Sequence, residues 1–278
     1  MFKTTISKII TISSACLALT LSACSKEQSA ELTQSDADNA TAQNQTLRIA
    51  AAANLSDVLP EIIAAYQTAE KLPAQKIDVT YASSGKLYAQ IISGAPYDIF
   101  LSANQAFPAK LAKEQLNKMQ PFTYTQGQLA LYSVNKSLKD LNATTLNTLL
   151  MRESDSKITI ANPELAPYGE SAQAYLQTQN LFDTLTEQRR IIQAENIGQA
   201  FQYAHTGNVD YGFVAQSQLT AIKAPPEQFY TLEPTSYPPI LQDGLVLSDT
   251  TTATDFSNYL RSPAAQQYFS DAGYLAVD

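Results

Sequence analysis

The 278-residue sequence contains one histidine, two cysteines and no tryptophan. With His205 alone, it lacks the parts for a histidine-based metal cluster or a Ser-His-Asp triad. Neither a G-x-G-x-x-G turn nor a P-loop occurs, so nucleotide phosphates have no glycine-rich cradle. The two cysteines, Cys16 and Cys24, both lie near the start, and no apolar run beyond them is long enough to cross a bilayer. No repeat recurs at a solenoid period. The fifteen tyrosines then read as packing and lobe-surface residues rather than as a sugar platform.

The first residues do not belong to a folded domain. Lys3 and Lys8 precede the apolar run IITISSACLALTL, residues 9–21, which has signal-peptide length. Its ending, Leu21 to Cys24 (LSAC), resembles the bacterial lipobox. That resemblance implies that residues 1–23 are a removed signal peptide and that Cys24 carries the acyl chains of a membrane anchor. Cys16 leaves with the peptide, so the mature chain has no internal disulfide even in an oxidising compartment. Taking Lys3 and Lys8 from the 18 basic residues leaves 16 against 26 acidic ones, a net charge of −10. Nucleic acid and an anionic membrane surface both need a basic face and are excluded as partners. Residues 25–46 have no aromatic residue and a single leucine, too little to offset the entropy of ordering them, so 24–46 reads as a lipidated, flexible tether.

From Leu47 strand and helix patterns alternate. LRIAA reads as a strand, and Leu55, Val58, Leu59, Ile62, Ile63 and Tyr66 then recur at helical spacing. Further strands are predicted over 77–82, 97–103, 127–135, 157–161, 189–194, 209–215 and 240–248. Helices are predicted between them, including 105–115, 144–151, 169–180 and 197–206, with two more near 252–261 and 263–271. The rhythm implies α/β architecture, with mostly parallel sheets covered by helices on both faces. About 232 residues exceed what one core usually holds, so two lobes are expected.

Four strand-to-helix junctions share a character. They are Ala53-Asn54, preceded by Ala51 and Ala52; Ser83-Ser84-Gly85; Tyr168-Gly169 within ANPELAPYGESA; and Asn196-Ile197-Gly198. In a parallel sheet such junctions lie at the C-terminal strand edge, where open α/β folds bind ligands. Helix starts carry unsatisfied N–H groups and a partial positive charge, so several together make an anion site without a formal cation. Taken singly, each is also explained without a ligand: Asn54 and Ser84 as N-caps, Gly85 as a turn residue, the alanines as close helix–sheet packing.

These junctions sit inside longer matches. IAAAANLSDVLPEI, VTYASSGKLYAQIISGAPYDIFLSANQ, AENIGQAFQYAHTGNVDYGFVAQSQL, YPPILQDGLVLS and FSNYLRSPAAQQYFSDAGY resemble the periplasmic molybdate-binding proteins of ABC transporters (ModA-type), over Leu47 to Asp278. The resemblance implies a two-lobed class II periplasmic binding fold that closes over molybdate or tungstate. Residues 47–127 plus 233–278 would form one lobe and 128–232 the other, hinged near 126–128 and 232–240. The oxyanion would be held by neutral hydrogen bonds from Asn54, the Ala53 backbone, Ser84, Tyr168 and the Ile197 N–H, with no direct cation ligand and no cofactor. It implies a monomeric, lipid-anchored, extracytoplasmic carrier serving a permease and an ATPase. Two positions depart from the common pattern. Asn54 stands where many members have Ser, and Ala215 where many have a tyrosine ligand, whose hydroxyl Tyr168 would replace.

Two rival readings stay open. Ser83-Ser84-Gly85-Lys86 matches the S-x-x-K of penicillin-recognising enzymes, with SDS (154–156) and HTG (205–207) as loose echoes of their other motifs. This would make a secreted serine hydrolase using Ser83 and Lys86, but HTG falls at a helix end and SDS in a polar loop. The other rival is a binder of the same fold for sulfate or phosphate.

Overall fold

The computed structural model describes residues 46–114 and 120–277. The expected signal peptide, Cys24 and nearly all of the tether lie outside the described residues. Ten strands occur within them: β1 (Leu47–Ala52), β2 (Ile77–Ala82), β3 (Ile99–Leu101), β4 (Phe122–Gly127), β5 (Leu129–Tyr132), β6 (Ile158–Ala161), β7 (Ile191–Ala194), β8 (Tyr211–Ala215), β9 (Phe229–Thr231) and β10 (Ile240–Val246). They build two sheets of five, ordered β2-β1-β3-β10-β4 and β7-β6-β8-β5-β9. In each sheet four strands share one direction and the fifth, β10 or β5, runs against its two neighbours. The reversed strand is in both cases the one that enters directly from the other sheet.

The strands bury both faces, as sheets covered by helices must. Ile49, Ala51, Ile99, Leu101 and Val246 point into one layer of the first sheet, and Ala50, Phe100 and Leu245 into the other. Leu129, Leu131 and Phe213 likewise oppose Ala130, Tyr132 and Val214 in the second. The helices are α1 (Leu59–Ala69), α2 (Ser84–Ile92), α3 (Ala106–Glu114), α4 (Ala143–Arg152), α5 (Pro167–Thr178), α6 (Phe182–Glu187), α7 (Ile197–His205), α8 (Gln216–Ala221), α9 (Thr251–Leu260) and α10 (Pro263–Asp271). Their starts follow local chemistry. Proline opens α5 and α10, where its missing N–H is of no consequence, and Asn142 with Thr145 forms a reciprocal cap on α4.

Two expectations are corrected, and one strand had not been read. The predicted strand 127–135 is divided at Gln128: Gly127 ends β4 in the first sheet and Leu129 starts β5 in the second. Strand β4, residues 122–126 included, had no clear pattern in sequence because its burial is uneven. The helical spacing read from Leu55 does not begin as an α-helix there. A 3₁₀ turn, Ala53–Leu55, follows β1, and α1 begins at Leu59. The reason is visible in the Asn54 carbonyl, which accepts the Tyr274 hydroxyl at 2.8 Å and the Ser217 hydroxyl at 3.4 Å. An α-helix starting here would need that carbonyl for itself.

Candidate functional site

The residues that follow the C-terminal ends of β1, β2, β3, β6 and β7 meet around one small cavity. Its wall is Ala52, Ala53, Asn54, Ala82, Ser83, Ser84, Ala103, Ala166, Pro167, Tyr168, Asn196 and Ile197. No charged side chain is among them. The cavity is small, about 10 Å³, which is close to the room one water molecule needs and excludes an organic ligand. All five residues expected from the sequence (Ala53, Asn54, Ser84, Tyr168 and Ile197) lie on this wall. Ala52 and Ala53 line it too, whereas Ala51 is packed in the core of the first sheet.

Each polar group has a definite state. Ser84 opens α2, and its Oγ accepts the Ala103 N–H at 2.9 Å, which leaves its own proton to give. Ser83 occupies the N-cap position of α2 but caps nothing, and its Oγ is buried without a partner. An N-cap serine normally satisfies a helix N–H, so this hydroxyl is held in reserve. Asn196 is a true cap of α7, accepting the Gln199 N–H at 3.0 Å. Ile197 is the next residue, and its N–H, in the first turn, has no intrahelical acceptor. Gly85 also stands in a first helical turn, but its N–H is spent on the Leu165 carbonyl at 2.9 Å.

Behind the wall lies a network that sequence reasoning did not find. Asn54 Nδ2 donates to Gln242 Oε1 at 3.0 Å and to the Tyr274 oxygen at 3.1 Å, while Asn54 Oδ1 is buried with no partner. Gln242 Nε2 donates to the Tyr168 hydroxyl at 3.3 Å, and Tyr124 lies 3.1 Å from Gln242 Oε1. Burial pushes the hydroxyl pKa values of Tyr168 and Tyr124 well above the ordinary tyrosine value, so both stay protonated donors. The one sequence signal was a glutamine amid the apolar residues of ILQDGLV.

The sheets are clasped around the cavity. Gly85 to Leu165 and Gln242 to Tyr168 are hydrogen bonds from one sheet's side to the other, and Lys86 Nζ pairs with Glu195 Oε1 at 2.7 Å beside the wall. Lys86 is thus engaged at the surface, half exposed, and makes no hydrogen bond to the buried Ser83 hydroxyl. The other echoes of the hydrolase motifs lie elsewhere: Ser156 holds the buried Arg190, and His205 stacks on Phe201. Ala215, the position lacking a tyrosine, is off the wall, its N–H taken by Gln218 Oε1 at 3.0 Å. No group of three or more His, Cys, Asp or Glu side chains among the described residues is placed to hold a metal cation.

A family profile described as bacterial extracellular solute-binding protein matches residues 47–275. The Azotobacter vinelandii molybdate-binding protein ModA is 31% identical over 238 residues, covering 84% of this chain and 91% of the relative. The chain belongs to the ModA family of bacterial extracellular solute-binding proteins. The Rhodobacter capsulatus molybdate-binding protein ModA is 32% identical over 231 residues, covering 77% of this chain and 88% of its own length. The solved structure of the Azotobacter vinelandii periplasmic molybdate-binding protein superposes with a TM-score of 0.75, at 31% identity, covering 84% of this chain and all of that one.

Proposed function

We propose that this protein captures molybdate, or tungstate, between its two lobes outside the cytoplasm and delivers it to an ABC permease and its ATPase. One observation carries the reading. A small, buried cavity without charged side chains is lined by two residues whose buried polar atoms have no partner, Asn54 Oδ1 and Ser83 Oγ. Leaving such a group unmatched costs about 1–3 kcal/mol, so the wall is built for a compact polar guest. The donors at hand, Ser84 Oγ–H, Tyr168 Oη–H and the Ile197 N–H at a helix N-terminus, suit an oxyanion. Asn54 and the Ala53 backbone complete the ligand set, with Tyr168 in place of the tyrosine missing at Ala215. The function is binding without turnover.

In this reading residues 47–127 with 233–278 move as one lobe and 128–232 as the other, hinged at the two chain crossings, and Cys24 carries the lipid anchor. The anion favours the closed state through contacts it makes only there. Sulfate has the same charge as molybdate, so selection rests on cavity size and donor placement. A second reading has one observation of its own: Asn54 Oδ1, an acceptor, would welcome a guest carrying a proton, such as hydrogen phosphate.

A thermal-shift panel of molybdate, tungstate, sulfate and phosphate tests both. A ligand at 100 times its Kd stabilises by about 2.7 kcal/mol, which is a rise of about 5–10 °C for a chain of this size. A shift with molybdate or tungstate alone supports the proposal. A shift confined to phosphate or sulfate transfers the function to that anion, and indifference to all four ends it.

A further inference from the structure

Resting on the oxyanion reading, the protons of the buried network behind Asn54 can be counted, and they do not balance. Tyr124 has one hydroxyl proton but two acceptors beside it, the Ser102 carbonyl at 2.9 Å and Gln242 Oε1 at 3.1 Å. With the proton on the nearer carbonyl, Gln242 Oε1 faces an oxygen lone pair. At the other end Asn54 Oδ1 has nothing to accept. Asn54 lines the cavity, yet its Nδ2 is turned to Gln242 and Tyr274, neither of which does. The guest is therefore met by an acceptor, which repels an anion.

Both faults disappear if the two side-chain amides turn over together, since the oxygen and nitrogen ends of an amide have the same shape. Gln242 Nε2 then donates to the Tyr124 oxygen and to Asn54 Oδ1. Gln242 Oε1 comes to lie beside the Tyr168 hydroxyl, whose proton can go to it or to the oxyanion. Asn54 Nδ2 takes the place facing the cavity and offers two N–H groups. Two contacts worsen: with the Tyr168 proton on the oxyanion, Gln242 Oε1 faces the Tyr168 oxygen at 3.3 Å, and the Tyr274 oxygen, 3.1 Å away, now meets Oδ1 while its proton stays on the Asn54 carbonyl. Asn54 cannot turn alone, for that would bring its oxygen to 3.0 Å from Gln242 Oε1.

We propose that Gln242 is a positioning residue for oxyanion recognition, turning with Asn54 so that the Asn54 amide presents its N–H groups to a fully ionised tetrahedral oxyanion. Gln242 touches no guest; it acts by setting which end of Asn54 does.

The test is a double-mutant cycle read by calorimetric titration with molybdate. Gln242→Leu in the native background is expected to weaken binding about tenfold or more, because Asn54 loses the donor that holds its turned state. Asn54→Ser replaces the amide by a hydroxyl that rotates freely, so in that background, whatever its own affinity, adding Gln242→Leu changes binding by less than about threefold. An equal loss in both backgrounds, or none in the native one, overturns the proposal, since a merely structural glutamine would cost the same in each. Thermal melts of all four proteins check folding, and a second readout is independent of it. In ¹⁵N-labelled native protein, the Asn54 side-chain amide signal, identified by its absence from Asn54→Ser, is expected to move on adding molybdate. A signal that stays still also overturns the inference. If the native protein binds no oxyanion of the panel, the functional reading fails and takes this inference with it, an outcome distinct from native binding with an uncoupled cycle.

Discussion

Gly127 ends the strand that leaves the first sheet, one residue before the chain enters the second, and it abuts the buried network. A methyl group built there would lie 2.8 Å from Gln242 Nε2 and 2.8 Å from Tyr168 Cζ, and closer still to the Tyr168 hydroxyl; ordinary contact begins at 3.4 Å. The glycine is not in the left-handed backbone region, so alanine is conformationally acceptable and the lesion of Gly127→Ala is purely steric. The amide must retreat by about 0.6 Å and the Tyr168 hydroxyl by more, with only the small cavity beside Tyr168 to take up the shift. Overpacking of this kind costs about 1–3 kcal/mol, or about 2–12 °C of melting temperature at this chain length. Misaligning the Tyr168 donor should weaken oxyanion binding by about tenfold or more, since a hydrogen bond to a charge is worth about 1.5–3 kcal/mol. The assay is paired: thermal melting for stability, calorimetric titration with molybdate for affinity. Adding Tyr168→Phe removes the nearest clashing atom, so the double variant should be more stable than the two single effects summed. Native melting and native affinity in Gly127→Ala would refute the geometry, and strict additivity would refute the attribution to Tyr168.

Further expectations are simpler. Tyr168→Phe should lower oxyanion affinity by about 1.5–3 kcal/mol by titration, with a small change in melting because only Gln242 Nε2 loses its partner. Gly169→Ala should be strongly destabilising in urea titration, because its methyl would meet the Ala161 carbonyl carbon at 2.6 Å, a backbone atom with no room to retreat. Glu195→Gln breaks the half-exposed pair with Lys86; stopped-flow release of the anion should quicken only a few-fold, and less so in high salt, as befits a contact worth at most about 1 kcal/mol. The raised tyrosine pKa values also give a pH expectation. Below about pH 10 the hydroxyls are neutral in folded and unfolded chains alike and contribute no pH dependence. Above it the unfolded chain ionises first, so stability should fall only in that alkaline range, while affinity stays level between about pH 7 and 9.

The junction residues were legible because each obeys a local rule: small residues where backbones approach, hydroxyl and amide side chains at strand ends, a helix start beyond. Sheet membership was not, because Gly127, the last residue of β4, reads as part of the same strand as β5 and only pairing separates them at Gln128. Ser83 and Ser84 differ by nothing in composition. Which of them spends its hydroxyl on the Ala103 N–H, and which is left without a partner, is decided by the turn that follows β3, 19 residues away. Asn54 was recognised, but its orientation depends on Gln242, 188 positions later. Long-range polar networks of this sort leave little trace in sequence spacing, since each member looks like an isolated polar residue in an apolar strand or turn.

The reversed strand in each sheet has a consequence for how the molecule is made. The second sheet is assembled from a continuous stretch, Leu129 to Thr231, and can close as soon as that stretch is available. The first sheet cannot, because β10, wedged between β3 and β4, comes from residues 240–246 near the far terminus. During synthesis its amino-terminal half must wait as an incomplete layer with two unpaired strand edges until almost everything else has emerged. A chain so ordered stays pliable late, which favours threading through a secretion channel before compaction, and it makes its carboxyl-terminal forty residues the step on which maturation turns.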